Sequence, residues 1–352
     1  MIKRILSVFL LLLIIVVVAA CQSREEAPPE LPITPDIEIN LDDLQTLTPV
    51  MPVLEPASIN MAVLPGPSAI GSLYLMEHTG TERFRNDYNI QILGTPDEIP
   101  PMINQGSIDI AAVPTNLASI LYNVTNGGIS VLAISTMGVL HIVDTTGEIN
   151  EMADLAGRTV HLSGMGASPE FVMNHVLRMN NLEPGRDVTL EFHGEQPQIA
   201  ALMAEGAAQI ALLPEPFATT VVAQNEAARF ALDMTEEWSR VQPDFGLVMT
   251  AIIVRNEFLQ NNPDAVELFM QDFEASIYFA NNSVQETAQL AADFGIIPNP
   301  NIAAQAIPRT NQVFLEGSEM KQYLSGYLGV LYEALPQSVG GNLPSESFYF
   351  IR

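Results

Sequence analysis

The chain has 352 residues, of which 41 are acidic and 14 basic, for a formal net charge of −27. Lysine occurs only at Lys3 and Lys321, so there is no clustered basic surface to neutralise phosphates, and nucleic acid is excluded as a partner. At 48% hydrophobic the chain can bury one large or two medium cores and is too apolar for general disorder, while its single cysteine, Cys21, excludes an internal disulfide framework or thiolate metal site.

Lys3 and Arg4 precede an apolar run of 16 residues, Ile5 to Ala20. That is short for a membrane span and suits the core of a signal peptide. The run ends Val18-Ala19-Ala20-Cys21, which resembles the lipobox of bacterial lipoproteins and implies lipidation of Cys21 after removal of residues 1–20. Without Lys3 and Arg4 the mature chain carries 12 basic against 41 acidic residues, a charge of −29. Gln22 to Pro56, 35 residues with seven prolines and no sustained period, reads with Cys21 as a tether over 21–56. A flexible segment of that length reaches roughly 30–35 Å.

From Ala57 onward the chain contains an internal repeat. Gly106-Ser-Ile-Asp-Ile-Ala-Ala-Val-Pro-Thr-Asn-Leu-Ala118 recurs as Gly206-Ala-Ala-Gln-Ile-Ala-Leu-Leu-Pro-Glu-Pro-Phe-Ala218, at an offset of 100. Each copy ends a βα series. In the first half strands are expected near 59–64, 89–93 and 108–113, with helices near 67–78, 97–105 and 115–123. In the second half strands are expected near 158–162, 188–192 and 208–213, with helices near 167–180, 196–204 and 215–226. Alternating βα units imply parallel sheets with right-handed crossovers, one per lobe. Val131 to Val143 and Leu247 to Val254 are apolar runs suited to link the lobes, and helical patterns follow at about 256–260, 263–280, 283–293, 301–306 and 317–333. The expected division is lobe 1 over 57–140 plus 250–352 and lobe 2 over 141–249, a discontinuous α/β protein with two hinge crossovers able to close around a ligand.

A lipobox, an acidic Pro-rich tether and doubly crossed βα lobes resemble the solute-binding lipoprotein of an ABC importer. The runs Val113-Pro-Thr-Asn116, Leu213-Pro-Glu-Pro-Phe217 and Ser163-Gly-Met-Gly-Ala-Ser-Pro169 are similar to the type II periplasmic-binding fold, in the branch of sulfonate, nitrate and thiamine-precursor binding proteins (the SsuA/Thi5-like, or NMT1-like, group). The likeness spans roughly residues 57–350. It implies a monomeric, extracytoplasmic protein, lipid-anchored through Cys21 in the periplasm or on the outer surface. Its partners would be a small-molecule ligand, an ABC permease and the permease's ATPase.

Ligands of open α/β sheets bind beyond the carboxyl ends of the strands, at helix N-termini with free N–H groups. In lobe 1 this selects Gly66, Pro67 and Ser68, then Thr95 and Asp97, then Thr115 and Asn116, with Met137 at the first crossover. In lobe 2 it selects Ser163, Gly164, Met165, Gly166 and Ala167, then Glu195, then Glu215. The hydroxyl, Asp and Asn residues among these serve equally well as helix caps. Glu215 replaces Thr115 of the first copy and either caps its helix or accepts from a ligand amine. Because these loops hold no Lys or Arg, an amine-bearing or N-heterocyclic ligand, such as a thiamine-precursor pyrimidine, is expected ahead of a sulfonate, nitrate or similar oxyanion. Tyr74, Tyr122, Phe171, Phe217 and Trp238 either stack on such a ring or fill the core.

The histidines, His78, His141, His161, His175 and His193, show no H-x-x-x-H or HExxH spacing, so neither a metal site nor a cofactor is expected. No Gly-x-Ser-x-Gly elbow is present, and no catalytic residue is assigned. A pyrimidine synthase of the Thi5 type, which the resemblance describes as cysteine-bearing and iron-dependent, is disfavoured because Cys21 is the only cysteine. A small-molecule enzyme on the same scaffold and a ligand-presenting sensor stand as the rival classes.

Overall fold

Short runs of Ile, Val and Ala that end at Pro or Gly are too brief for helices and too apolar for a wet surface, so they pair and are covered on both faces. The computed structural model describes residues 54–352. The expected signal peptide, Cys21 and nearly all of the expected tether therefore lie outside the described residues. The chain first lays down β1 (Ser58–Val63), β2 (Asp87–Ile92), β3 (Ile110–Pro114) and β4 (Ile129–Met137). Between them run α1 (Pro67–Ile70), α2 (Leu73–Glu77), α3 (Ile99–Gln105) and α4 (Thr115–Val124). The single helix expected over 67–78 is split at Gly71 and Ser72, where Gly71 packs closely against the Ile277 side chain.

After Gly138 and Val139 the chain builds β5 (Leu140–Asp144), β6 (Thr159–Ser163), β7 (Thr189–His193), β8 (Ile210–Pro214) and β9 (Arg229–Asp233). Their helices are α5 (Ser168–Met179), α6 (Gln196–Ala204), α7 (Phe217–Gln224) and α8 (Met234–Val241). It returns through β10 (Val248–Arg255) to α9 (Asn256–Asn261), α10 (Pro263–Asn282), α11 (Val284–Asp293) and α12 (Pro300–Ala306). Strand β11 (Gln312–Glu316) and α13 (Gly317–Ala334) finish the regular structure. Among the described residues no helix is long and apolar enough to cross a membrane.

The strands form two sheets, in the orders β11-β4-β10-β3-β1-β2 and β7-β6-β8-β5-β9. The two-lobe, twice-crossed α/β architecture expected from the repeat is thus present. The expectation of parallel sheets needs correction, because both sheets are mixed. The βα strands β1, β2 and β3, and likewise β6, β7 and β8, are parallel. The crossing strands β10 and β5 run antiparallel to β3 and β8. The reason is geometric. Leu140 pairs with Pro214 and Thr250 with Pro114, so each crossing strand starts beside the carboxyl end of a βα strand and must run the opposite way.

Strands β9 and β11 and helix α8 had no counterpart in the sequence pattern. The two strands are five-residue edge strands, bounded by Arg229 and Asp233 in one case and by Gln312 and Glu316 in the other. Charged and polar termini protect an open edge from further pairing, and they also hide the period-2 signal.

Burial divides into three clusters. One covers the outer face of lobe 1 and is built on Ile59, Met61, Leu132 and Ile252 against Phe269 and Phe273 of α10. A second lies under α6 and α7 in lobe 2, around Ile199, Met203, Ala211 and Leu213. The third is continuous through the crossovers, from Ile99, Val113 and Leu324 to Val160, Leu162 and Trp238. At its centre Trp238 of lobe 2 stands 5.6 Å from Tyr327 of α13, and both are fully buried.

Candidate functional site

The carboxyl ends of β1, β2 and β3 converge with the start of α5 around a cavity of about 410 Å³. After β1 the backbone at Gly66 takes φ 86°, ψ −149°, a conformation reserved for glycine, and this turns Pro67 and Ser68 into the cavity wall. After β2 the Thr95 N–H donates to Glu98 Oε1 at 2.8 Å, closing the turn that sets Pro96 and Asp97 on the wall. After β3, Pro114 leads into α4, whose first two turns present Asn116, Leu117 and Ile120. The antiparallel strands add Thr136, Met249 and Thr250, and Val139 adds the crossover itself. Lobe 2 contributes Ala167, Ser168 and Pro169, the opening of α5.

Most of this wall is apolar. Its only ionisable side chain is Asp97, and it includes no Lys, Arg, His or Cys. Two N-termini, those of α4 and α5, add free backbone N–H groups. Ser68 Oγ and Thr250 Oγ1 are 3.4 Å apart. The Thr136 hydroxyl is fully buried and has no hydrogen-bond partner, although a buried hydroxyl left unpaired costs about 1–3 kcal/mol.

Of the residues selected from sequence, Pro67, Ser68, Asn116 and Ala167 lie on this wall, as does the accompanying Asp97. Gly66 and Thr95 shape it from one residue away. Thr115 is buried beneath it and donates to Val248 O at 3.1 Å. Met137 follows Thr136, and its N–H donates to the carbonyl of Asn311, just ahead of β11. Ser163 is buried and accepts from Gln196 Nε2. Gly164 and Gly166 both take positive φ, and the Gly166 N–H donates to Glu170 Oε2 at 2.6 Å, while Met165 is 71% exposed to solvent. Glu195 is the exposed residue before α6. None of these last six residues lines the cavity.

Glu215 is also off the wall, fully enclosed at the end of β8. Its Oε2 accepts the Thr219 N–H at 3.3 Å, which caps the first turn of α7. Its Oε1 lies 3.7 Å from His141 Nε2, and neither atom has a hydrogen-bond partner. Burial pushes the Glu215 carboxyl up to about 7 and pushes His141 down. The His141 ring meets Phe230 edge-on, and Arg309 of lobe 1 covers Phe230 at 4.4 Å.

Sequence reasoning did not select Pro96, Pro114, Leu117, Ile120, Thr136, Val139, Pro169, Met249 or Thr250 as site residues, and it read Ser168 chiefly as a helix cap. The usable signal was a threonine within each apolar crossing run, Thr136 and Thr250. None of the five proposed stacking aromatics lines the cavity; Tyr122, Phe171 and Trp238 are buried in the shared core. Spacing along the chain gave no metal site, yet the pairing of β6 with β7 brings His161, Glu191 and His193 together.

Comparison with known proteins agrees with the fold. Residues 127–287 match the family model described as NMT1/THI5 like. Among curated proteins, no sequence relative matches the chain. An ABC transporter structure from Parabacteroides distasonis is 22% identical, with a TM-score of 0.71 over 83% of this chain and 98% of that one. The periplasmic aliphatic sulphonate binding protein SsuA from Escherichia coli is 14% identical, with a TM-score of 0.65 over 82% and 96%. The periplasmic nitrate-binding protein NrtA from Synechocystis PCC 6803 is 15% identical, with a TM-score of 0.54 over 83% of each. The chain has the fold of these periplasmic binding proteins, the fold that the resemblance read from the sequence implied.

Proposed function

We propose that this protein is the extracytoplasmic solute-binding component of an ABC importer, which encloses a small organic ligand between its lobes and presents it to the permease. The observation that carries this reading is the cavity at the carboxyl ends of β1, β2 and β3, closed on the lobe 2 side by the opening of α5. Thr136, a residue of that wall, has a buried hydroxyl with no partner among the described residues, and closure that brings a ligand polar atom to it would satisfy it. The lobes close as units over 57–140 plus 250–352 and over 141–249. The chain is held at the membrane by lipidated Cys21, a part of the reading supported by the sequence alone.

The wall favours an uncharged or amine-bearing ligand with an apolar body, for which Asp97 supplies the one countercharge. A thiamine-precursor pyrimidine belongs to that class, although the ring would rest on proline and aliphatic side chains rather than on aromatic ones. A second reading, capture of a sulfonate, nitrate or similar oxyanion, is favoured by the two helix N-termini on the wall and by the ligands named for the Escherichia coli and Synechocystis proteins. It would rely on N–H groups and hydroxyls without a basic side chain. An enzyme on this scaffold is disfavoured, since no nucleophile–base pair lines the cavity.

Native mass spectrometry of the purified protein, followed by thermal-shift measurements with aminopyrimidines, sulfonates and nitrate, tests the reading. Asp97→Asn is expected to weaken an amine ligand about tenfold or more and to leave or improve an oxyanion. No co-purifying molecule and no ligand-dependent shift would remove the binding function. Turnover of a bound compound would replace it with the enzyme. Radiolabelled palmitate incorporation that persists in Cys21→Ser would remove the anchor.

A further inference from the structure

Strands β6 and β7 are parallel, with His161 opposite Glu191 and Ser163 opposite His193. Side chains two apart on a strand share a face, so His161, Glu191 and His193 project together on the side of the sheet that α6 covers. They stand at the sheet's edge, where β7 is the outermost strand. There the turn at Gly206 and Ala207 leaves a hollow of about 450 Å³ that reaches His161 and Glu191. None of the three residues lines the interlobe cavity.

Three ligand atoms meet at this point. His161 Nδ1 lies 3.0 Å from His193 Nε2, and Glu191 Oε1 lies 3.8 Å from the first and 3.6 Å from the second. The point equidistant from all three is ~2.0 Å from each, the bond length of Zn–N and Zn–O. The histidine side chains are about nine-tenths enclosed, whereas that of Glu191 is 55% exposed and keeps the hollow side open. Arg158, the basic side chain of the hollow, is engaged by Glu148 and is not left to repel a cation.

We infer that His161, Glu191 and His193 form a binding site for a divalent transition-metal ion, zinc in the first instance, separate from the ligand cleft. Two imidazoles and one carboxylate suit zinc, nickel or cobalt and do not suit calcium or magnesium, which take all-oxygen shells. Water from the hollow completes four-coordination. The ion cross-links the edge strand β7 to β6 and so rigidifies the outer rim of lobe 2. This inference does not depend on which solute the cleft takes.

The test uses the untagged full chain, stripped with EDTA and titrated with ZnCl2 by calorimetry. One equivalent of zinc is expected to bind and to raise the unfolding temperature, and CoCl2 is expected to give the visible absorption of a four-coordinate site. His161→Gln or His193→Gln should weaken zinc by about 100-fold or more, Glu191→Gln by about 10- to 100-fold, and His78→Gln not at all. Because the two histidines are enclosed and their variants could fold poorly, wild-type protein supplies a second measurement. Zinc should protect His161 and His193, but not His78, from diethyl pyrocarbonate in peptide mass spectra. Absence of saturable zinc uptake by the wild-type chain, an unchanged affinity in Glu191→Gln, or equal modification of the histidines with and without zinc overturns the site.

Discussion

The two lobes carry the same repeat and use it differently. Both sheets follow one plan: β2-β1-β3-β10-β4 in lobe 1 corresponds to β7-β6-β8-β5-β9 in lobe 2, and each crossing strand fills the same slot in its own sheet. At the end of the third strand Thr115 and Glu215 occupy equivalent positions, 100 residues apart. Thr115 donates to Val248 O on its crossing strand, while Glu215 faces His141 on the other. The consequences diverge. Lobe 1 puts Pro114, Asn116, Leu117 and Ile120 on the cavity wall, whereas no residue of the matching stretch in lobe 2 reaches it. Lobe 2 supplies only the opening of α5. The repeat therefore specifies scaffold, while which copy lines the cavity depends on the side chains in which the copies differ. Under the proposed function, lobe 1 is the receptor and lobe 2 the lid.

The largest expected effect comes from the carboxylate that distinguishes the two copies. Glu215 has a folded-state pKa raised to about 7 by burial, above an unfolded value of 4.5. Its contribution to stability is fully present below pH 4.5, where the carboxyl is protonated in both states, and is lost as pH rises through 7. The loss amounts to about 3 kcal/mol. His141, whose pKa is lowered by burial, has the opposite sign and loses its contribution as pH falls below its unfolded value of 6.5. Glu215→Gln removes the first effect. Urea unfolding at pH 4.5, 6 and 8 should show the variant gaining on wild type by up to about 3 kcal/mol across that range. Thr115→Val, at the equivalent site, should instead cost about 1 kcal/mol at every pH through its lost bond to Val248 O. Parallel pH curves for Glu215→Gln and wild type would erase this difference between the lobes.

The seam between the lobes comes next. Any Cβ on Gly138 would overlap Thr235 Oγ1 and press on Leu247 Cδ2 at 2.9 Å, and a Cβ on Gly246 would overlap Met137 Cε. The two crossings thus pack directly on each other with no space for a methyl. Gly138→Ala should destabilise by about 1–3 kcal/mol, as overpacking does. Gly166→Ala, in the lid loop, meets only the strain of its positive φ, about 1–2 kcal/mol, because nothing lies within 4 Å of the added carbon. Small-angle scattering should show altered ligand-dependent closure for Gly138→Ala alone. Unchanged stability and closure in Gly138→Ala would mean that the hinge lies elsewhere.

Much of the fold was legible because apolar runs, Gly turns and a repeat at fixed offset are local signals. The strands near 59–64 and 208–213 and the helices near 196–204 and 317–333 correspond to observed elements to within a few residues. Strand direction was not legible, because β5 and β10 are apolar in either sense and only the position of the crossovers fixes which way they run. The candidate site was half legible. Loops after βα strands announce themselves by Ser, Thr, Asn and Gly, and four of the residues so marked are on the cavity wall. Thr136, Met249 and Ile120 face the same space from a strand or a helix interior, where sequence cannot distinguish a cavity face from a core face. The His161, Glu191 and His193 group was hidden for a related reason: strand pairing joins positions about thirty residues apart.

The smallest expected effect tests the receptor and lid assignment most directly. Thr136 lies on the cavity wall in lobe 1, is fully buried, and its hydroxyl has no partner among the described residues. Thr136→Val keeps the shape and removes a buried polar atom, so the unliganded protein should be as stable as wild type or slightly more so. The ligand that co-purifies should nonetheless bind about tenfold more weakly, the worth of one buried hydrogen bond of about 1.4 kcal/mol. Ser168→Ala, in the lid, should change affinity by no more than about threefold, since that side chain begins a helix whose N–H groups remain. Calorimetric titration of the two variants against wild type gives both values. A larger loss in Ser168→Ala than in Thr136→Val would reverse the assignment, because the ligand would then be held by the lobe that contributes the smaller share of its walls.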